Sequence, residues 1–179
     1  MFGNICGLLA ASLILVMPAI AACPKSSVLV GVRVLKPEIS VSQGADLSDH
    51  FGDVEAVFRA KYDLKMEEFD GCTALKSVRA EIGYDFDIRI DGRFNEGSCE
   101  YNAVLRHEQD HINIYMATLR DFAAEFEKAL KSAAKSARAE DIKSDPELVM
   151  VLRKIEAEAG VRNRNLDKNP HSDHLAECK

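Results

Sequence analysis

Hydrophobic and polar residues alternate strictly in two segments of the chain. "VLVGVRV" places Val28, Val30, Val32 and Val34 on one face. Farther on, Val78, Ala80, Ile82, Tyr84, Phe86, Ile88 and Ile90 share one side, while Arg79, Glu81, Asp85, Asp87, Arg89 and Asp91 share the other. A period of two with one apolar and one charged face predicts strands of an antiparallel sheet with one side in water. Gly83 interrupts the second run and marks a candidate bulge or bend. The intervening "GDVEAVFRAKYD" reads as a short helix or an irregular excursion.

After "DGRFNEGSC" the period lengthens. Leu105, Ile112, Tyr115, Leu119, Phe122, Phe126 and Leu130 recur at spacings of three, four and seven, the stripe of an amphipathic helix. From Tyr101 to Ala139 there is no Gly or Pro, and Ala, Glu, Lys and Arg abound. The spacing predicts one helix of about ten turns, or one broken near "SAAKSARAED". In "SDPELVMVLRKIEAEAG", Asp145 is placed to cap a second helix, Pro146 suits its first position and Gly160 its exit. The expected fold class is α+β: a small antiparallel β-sheet, then a long helix and a second C-terminal helix.

Length and composition narrow the setting. At 179 residues, 47% hydrophobic and 29% charged, the chain suits one folded domain. A net charge of −6 leaves no basic footprint, so nucleic acid is not an expected partner. Residues 1–22, "MFGNICGLLAASLILVMPAIAA", carry no charged side chain and end in small residues after Pro18, which reads as a secretory signal peptide. The n-region lacks Lys or Arg, and an uncleaved anchor is the alternative; once cleaved, no membrane span is expected. Residues 23–179 form the expected single domain, with the sheet in 23–95, helices in 100–160 and an irregular tail in 161–179.

Cysteine counting sharpens this. "IAAC" resembles a lipobox, which would make Cys23 a lipid anchor. Loss of the signal leaves Cys23, Cys72, Cys99 and Cys178, an even number for an oxidising compartment. Two disulfides would use all four, and a periplasmic or extracellular protein is the favoured reading. Pairing stays open, because four cysteines allow three connectivities.

"RHEQDH" carries the candidate chemistry. His107 and His111 are four apart, on one face of the predicted helix, and can present both imidazoles to one metal ion. Glu108 lies about 100° round the helix from His107, close enough to take a proton from an activated water. The pattern suits a Zn²⁺ site with its catalytic base. Asp110 is a candidate to orient an imidazole. Tyr115, Arg162, Arg164 and whichever of His171 and His174 does not bind the metal are candidates to stabilise an oxyanion.

Here the chain resembles the zincin metallopeptidases, whose helix bears His-Glu-x-x-His. Within them, "SCEYNAVLRHEQDHINIY" resembles a bacterial family of predicted secreted zinc-dependent proteases of otherwise undefined function. The resemblance implies His107 and His111 as metal ligands and Glu108 as general base. A third ligand is required. Ile114 and Ala117 stand where metzincins have Gly and His, which excludes that branch. Gluzincin-like sites take a glutamate from a following helix, and Glu125, Glu127, Glu140, Glu147 and Glu156 are available. The first two share the motif helix and sit too far along it. The resembled family tends to carry an Asp followed by a His near its C-terminus, which Asp167 and His171 match loosely. His171 is the favoured third ligand, then His174, then a glutamate of the second helix; a bonded Cys178 would hold that tail against the motif helix.

The leading expectation is a secreted zinc-dependent metallohydrolase, most simply a peptidase, acting on protein or peptidoglycan cross-bridge peptide. The alternative is a disulfide-stabilised, non-catalytic periplasmic binding or interaction protein whose long helix packs on a partner.

Overall fold

The computed structural model describes residues 27–47, 50–69, 71–136, 138–168 and 175–178. The expected signal peptide and Cys23 lie outside them. The order is β1 (Leu29–Val34), β2 (Glu38–Ala45), β3 (Gly52–Phe69), β4 (Cys72–Asp91), α1 (Cys99–Ser136), a 3-10 turn (Ala139–Ser144), α2 (Pro146–Leu166) and a last 3-10 turn (Ala176–Cys178). The class is α+β, as the alternating strands and the long stripe imply.

The charged-and-apolar run forms β4, the strand to which every other strand among the described residues is paired. Val78, Ala80, Ile82, Tyr84, Phe86, Ile88 and Ile90 are all buried. β3 pairs with β4 antiparallel along its whole length, from Gly52↔Ile90 to Phe69↔Cys72. The segment "GDVEAVFRAKYD" is therefore strand, neither helix nor excursion. Val54, Ala56, Phe58, Tyr62 and Leu64 pack on the core from alternate positions. Helix-forming Ala, Glu, Lys and Arg disguised that period, and packing against β4 overrode their preference. Gly71 (φ 77) provides the left-handed turn residue of the hairpin.

The other edge of β4 departs from the antiparallel expectation. β1 pairs with Ser77–Ile82 and β2 with Asp85–Asp91, both parallel to β4. The two run end to end along one edge, separated by Leu35–Pro37, where Pro37 cannot donate to a ladder. The sheet is thus mixed. Gly83 is no bulge in the β3 pairing. A Cβ there would lie 3.0 Å from Leu35 Cβ, so glycine admits the bend between β1 and β2.

α1 lies across one face of this sheet through Val104, Ile112, Met116, Leu119, Phe126 and Leu130. The opposite face carries ion pairs such as Arg59–Asp85 and Arg33–Glu81. α2 runs back antiparallel to α1, tied by Arg162–Asp121 and Lys154–Glu125. Asp145 caps α2, accepting from the backbone N–H of Glu147 and Leu148, with Pro146 in the first turn. The helix does not stop at Gly160 but continues to Leu166, so part of the expected irregular tail is helical. Among the described residues no helix is long and apolar enough to cross a membrane.

Two links hold the ends of these elements. Cys99, the first residue of α1, is disulfide-bonded to Cys178 across 79 residues of sequence. On the chain-entropy view such a loop closure contributes roughly 4–5 kcal/mol. Cys72 is disulfide-bonded as well. At the end of β4, buried Asp91 accepts from the Arg93 side chain and backbone N–H and from the Leu47 N–H. Arg93 above all, helped by the Leu47 N–H and opposed by burial, holds its carboxyl far below the usual carboxylate range.

A depressed folded pKa means that the Asp91 carboxylate stabilises the fold above its unfolded value, 3.8, and that this contribution fades as pH falls towards the folded value. Asp91→Asn should therefore melt below the unsubstituted protein at about pH 7, with the gap closing steadily below about pH 4. Thermal melts across that range test this; a gap that stays constant in acid would refute it.

Candidate metal centre

The motif sits in the third turn of α1, on the side that faces inward. His107, Glu108 and His111 are 2%, 2% and 8% exposed, which is far from an incidental polar surface. The two imidazoles meet edge to face, with Nε2 atoms 3.2 Å apart. The Asp167 carboxylate, at the C-terminal end of α2, brings Oδ1 to 3.1 Å from His111 Nε2 and 3.6 Å from His107 Nε2. Donors about 2.0–2.1 Å from one tetrahedral ion stand about 3.3–3.4 Å from one another. The triangle of two nitrogens and one oxygen therefore fits a divalent metal, and the three residues form such a group among the described residues.

Antiparallel packing of the helices places Asp167 there. The buried stripe of α2 is Leu148, Val151, Ile155, Ala159 and Asn163, a run at spacings of three and four. It ends on an amide. Asn163 Oδ1 accepts from His111 Nδ1–H at 2.9 Å, which leaves the Nε2 lone pair turned to the triangle. Asn163 also stands beside the Tyr115 hydroxyl, whose pKa is raised by burial against a smaller lowering from that contact.

A cavity of about 470 Å³ opens onto the triangle, lined from β3 by Gly52, Asp53 and Val54, from the preceding loop by His50, and from the helices by Tyr115 and Asn163. Gly52 is required by contact: a Cβ there would lie 2.6 Å from both Glu108 Oε1 and Val104 Cγ1. Burial, then the negative charges of Asp53 and Asp167, push the Glu108 carboxyl up to about 8. No lysine or arginine is among the described residues lining the cavity, and Arg89, which pairs with Asp53, is outside it. The site thus gathers carboxylates around two imidazoles, an arrangement that a bound cation would relieve.

The other sequence candidates separate clearly. His171 and His174 lie outside the described residues. Asp110 is exposed, and the group that orients an imidazole is Asn163. Tyr115 reaches the cavity; Arg162 is engaged by Asp121 and Glu158 on the surface. Glu125, Glu127 and Glu140 are paired with Lys154, Lys131 and Arg138, and Glu147 and Glu156 are exposed. None belongs to the metal-binding group. Cys178 is bonded to the start of α1 and Glu177 pairs with Arg106, so the end of the chain is held against the motif helix as the cysteine count suggested. His50, Gly52 and Asn163 were not singled out. For Asn163 a signal existed: it is the polar residue that continues an apolar helical stripe.

Compared with protein-family models, curated proteins and solved structures, the chain gives no match.

Asn163→Ala should lower the affinity for Zn²⁺ or Co²⁺ roughly 10–100-fold while leaving the fold intact. Competition with a chromophoric chelator measures the affinity and circular dichroism the fold. An affinity equal to that of the unsubstituted protein would rule out the orienting role.

Proposed function

We propose that this chain is an exported zinc-dependent hydrolase that cleaves peptide bonds. The observation that carries the reading is the triangle of His107 Nε2, His111 Nε2 and Asp167 Oδ1 with the buried Glu108 on the next helical position. Two imidazoles and a carboxylate are a donor set that suits zinc and leaves room for water or substrate. Bound there, zinc would polarise the scissile carbonyl and make water a better nucleophile.

Glu108 accepts the proton that the attacking water loses, then delivers it to the leaving amine, so one carboxyl serves both halves of the cleavage. Its position is fixed by its place on α1 and by the close approach of Gly52. His111 is kept in the metal-facing tautomer by Asn163. Asp167 closes the donor set from a second helix, and His171, four residues beyond it, stays a candidate for the same centre.

A peptide substrate is supported by the cavity wall. β3 is paired on one edge only among the described residues, and its first three residues line the cavity. An extended peptide can add to such an edge through main-chain hydrogen bonds, which accommodates protein chains and peptidoglycan cross-bridge peptides alike. Export is supported by the signal-like residues 1–22 and by the Cys99–Cys178 disulfide, a bond that persists in oxidising compartments. Lipidation at Cys23 would tether the same domain to a membrane surface.

Protein purified without chelator should hold one zinc per chain, and His107→Ala should lose it. Glu108→Gln should keep the metal yet lower hydrolysis of casein or cross-bridge peptides roughly 10²–10⁴-fold. A metal-free preparation would sink the reading in favour of a non-catalytic binding protein, and undiminished turnover in Glu108→Gln would remove the assigned base.

A further inference from the structure

Peptide hydrolysis places negative charge on the former carbonyl oxygen, and an N–H or O–H donor aimed at that oxygen is usually a large part of catalysis. Among the described residues the cavity contains few. His107, His111 and Asp167 face one another, Glu108 takes the proton, and Asp53 is paired with Arg89. The Asn163 oxygen is held by His111, and the Tyr115 ring packs against Tyr84 and Phe86 with its hydroxyl beside Asn163. Among the described residues that line the cavity, Asn163 also carries a buried amide NH₂ beside Tyr115, and the exposed side chain with an N–H is His50, from the loop before β3.

We propose that His50 is a further catalytic residue, whose imidazole N–H donates to the oxyanion formed on the substrate. The proposal rests on the hydrolase reading above. It needs a hydrogen bond alone; no proton changes hands at His50.

The backbone around His50 is built for position. Its own N–H donates to Leu47 C=O at 2.6 Å, and the Leu47 N–H donates to Asp91 Oδ2 at 3.0 Å. On the other side, the Asp91 N–H donates to Phe51 C=O at 3.0 Å, and the Phe51 ring is flanked by Phe94 and the Arg93 guanidinium. Gly52 then passes directly against Glu108. Asp91 at the end of β4 thus fixes both shoulders of an exposed histidine, by its carboxylate on one side and its backbone N–H on the other, and that histidine lines the same cavity as the proposed base. Surface solubility needs no such bracing, whereas a preorganised donor does.

The test uses the zinc-loaded mature chain, with inorganic phosphate as a tetrahedral oxyanion probe. His50→Ala should keep zinc affinity within about twofold and weaken phosphate binding about tenfold, the scale of one hydrogen bond to a charged group. His50→Gln, which retains an N–H, should recover part of it. Calorimetric titrations with zinc and then with phosphate give both numbers, and melting curves verify the fold of each variant. Unchanged phosphate affinity in His50→Ala overturns the proposal while leaving the metal centre intact. Parallel loss of zinc and phosphate overturns it too, because His50 would then be a metal ligand. If the unsubstituted chain takes up no zinc, the hydrolase reading fails and this inference falls with it.

Discussion

Two imidazoles and a carboxyl group occupy the inward side of α1, where packing on the sheet would otherwise call for leucine or isoleucine. The rest of the structure depends on accommodating them. A buried ionisable group without compensation costs several kcal/mol, and here three stand within two helical turns. Compensation comes from outside the helix: Asn163 and Asp167 from α2, the open cavity beside β3, and the cation for which the donors are spaced. The apolar part of α1 begins again immediately below, at Ile112, Met116 and Leu119. The helix is anchored by that lower segment and by Cys99 above, so the polar turn between need not contribute cohesion of its own.

The sheet meets the same constraint from the opposite side. A continuous β4 of twenty residues carries the core for every other strand, so its apolar face serves as a fixed floor. β3 begins against the motif with Gly52, the residue without a side chain, and any larger residue would collide with Glu108 and Val104. Packing therefore fixes the distance between the cavity-lining end of β3 and Glu108. The ion pairs on the outer face are exposed and individually worth little; they keep the far side of the sheet wet and leave the cavity edge as the open flank.

Much of this was legible from the chain. A strict period of two over Val78–Ile90 can satisfy only a strand, and the helical stripe from Leu105 to Leu130 only a long helix. The motif was legible because helix geometry alone brings residues 107 and 111 to one face. Two things were hidden for physical reasons. Strand direction is set by how edges meet in space, so the parallel β1 and β2 leave no mark in their own alternation, and the Asp-Gly pair at 70–71 becomes informative only once β3 is known to be a strand. The third donor is equally non-local. Asp167 falls just past a helix whose end was placed too early at Gly160, and Gly is tolerated within α2 where its neighbours pack well. Continuing the stripe one turn, to Asn163, would have carried the helix to the site.

The order of these elements couples metal and stability. Without a cation, burial and two acidic neighbours push Glu108 up to about 8, so ionising that carboxyl at neutral pH works against the folded state. A divalent ion in the triangle would reverse the sign of the local field and favour the carboxylate form of Glu108. The same ion would join α1 to the end of α2, two elements linked at this end by the contacts of His111 with Asn163 and Asp167. Binding energy at such a site is in part folding energy, because the donors converge only in the packed state. Metal and tertiary structure would then form one cooperative unit, and the polar turn of α1 would become, when occupied, a joint between the two helices.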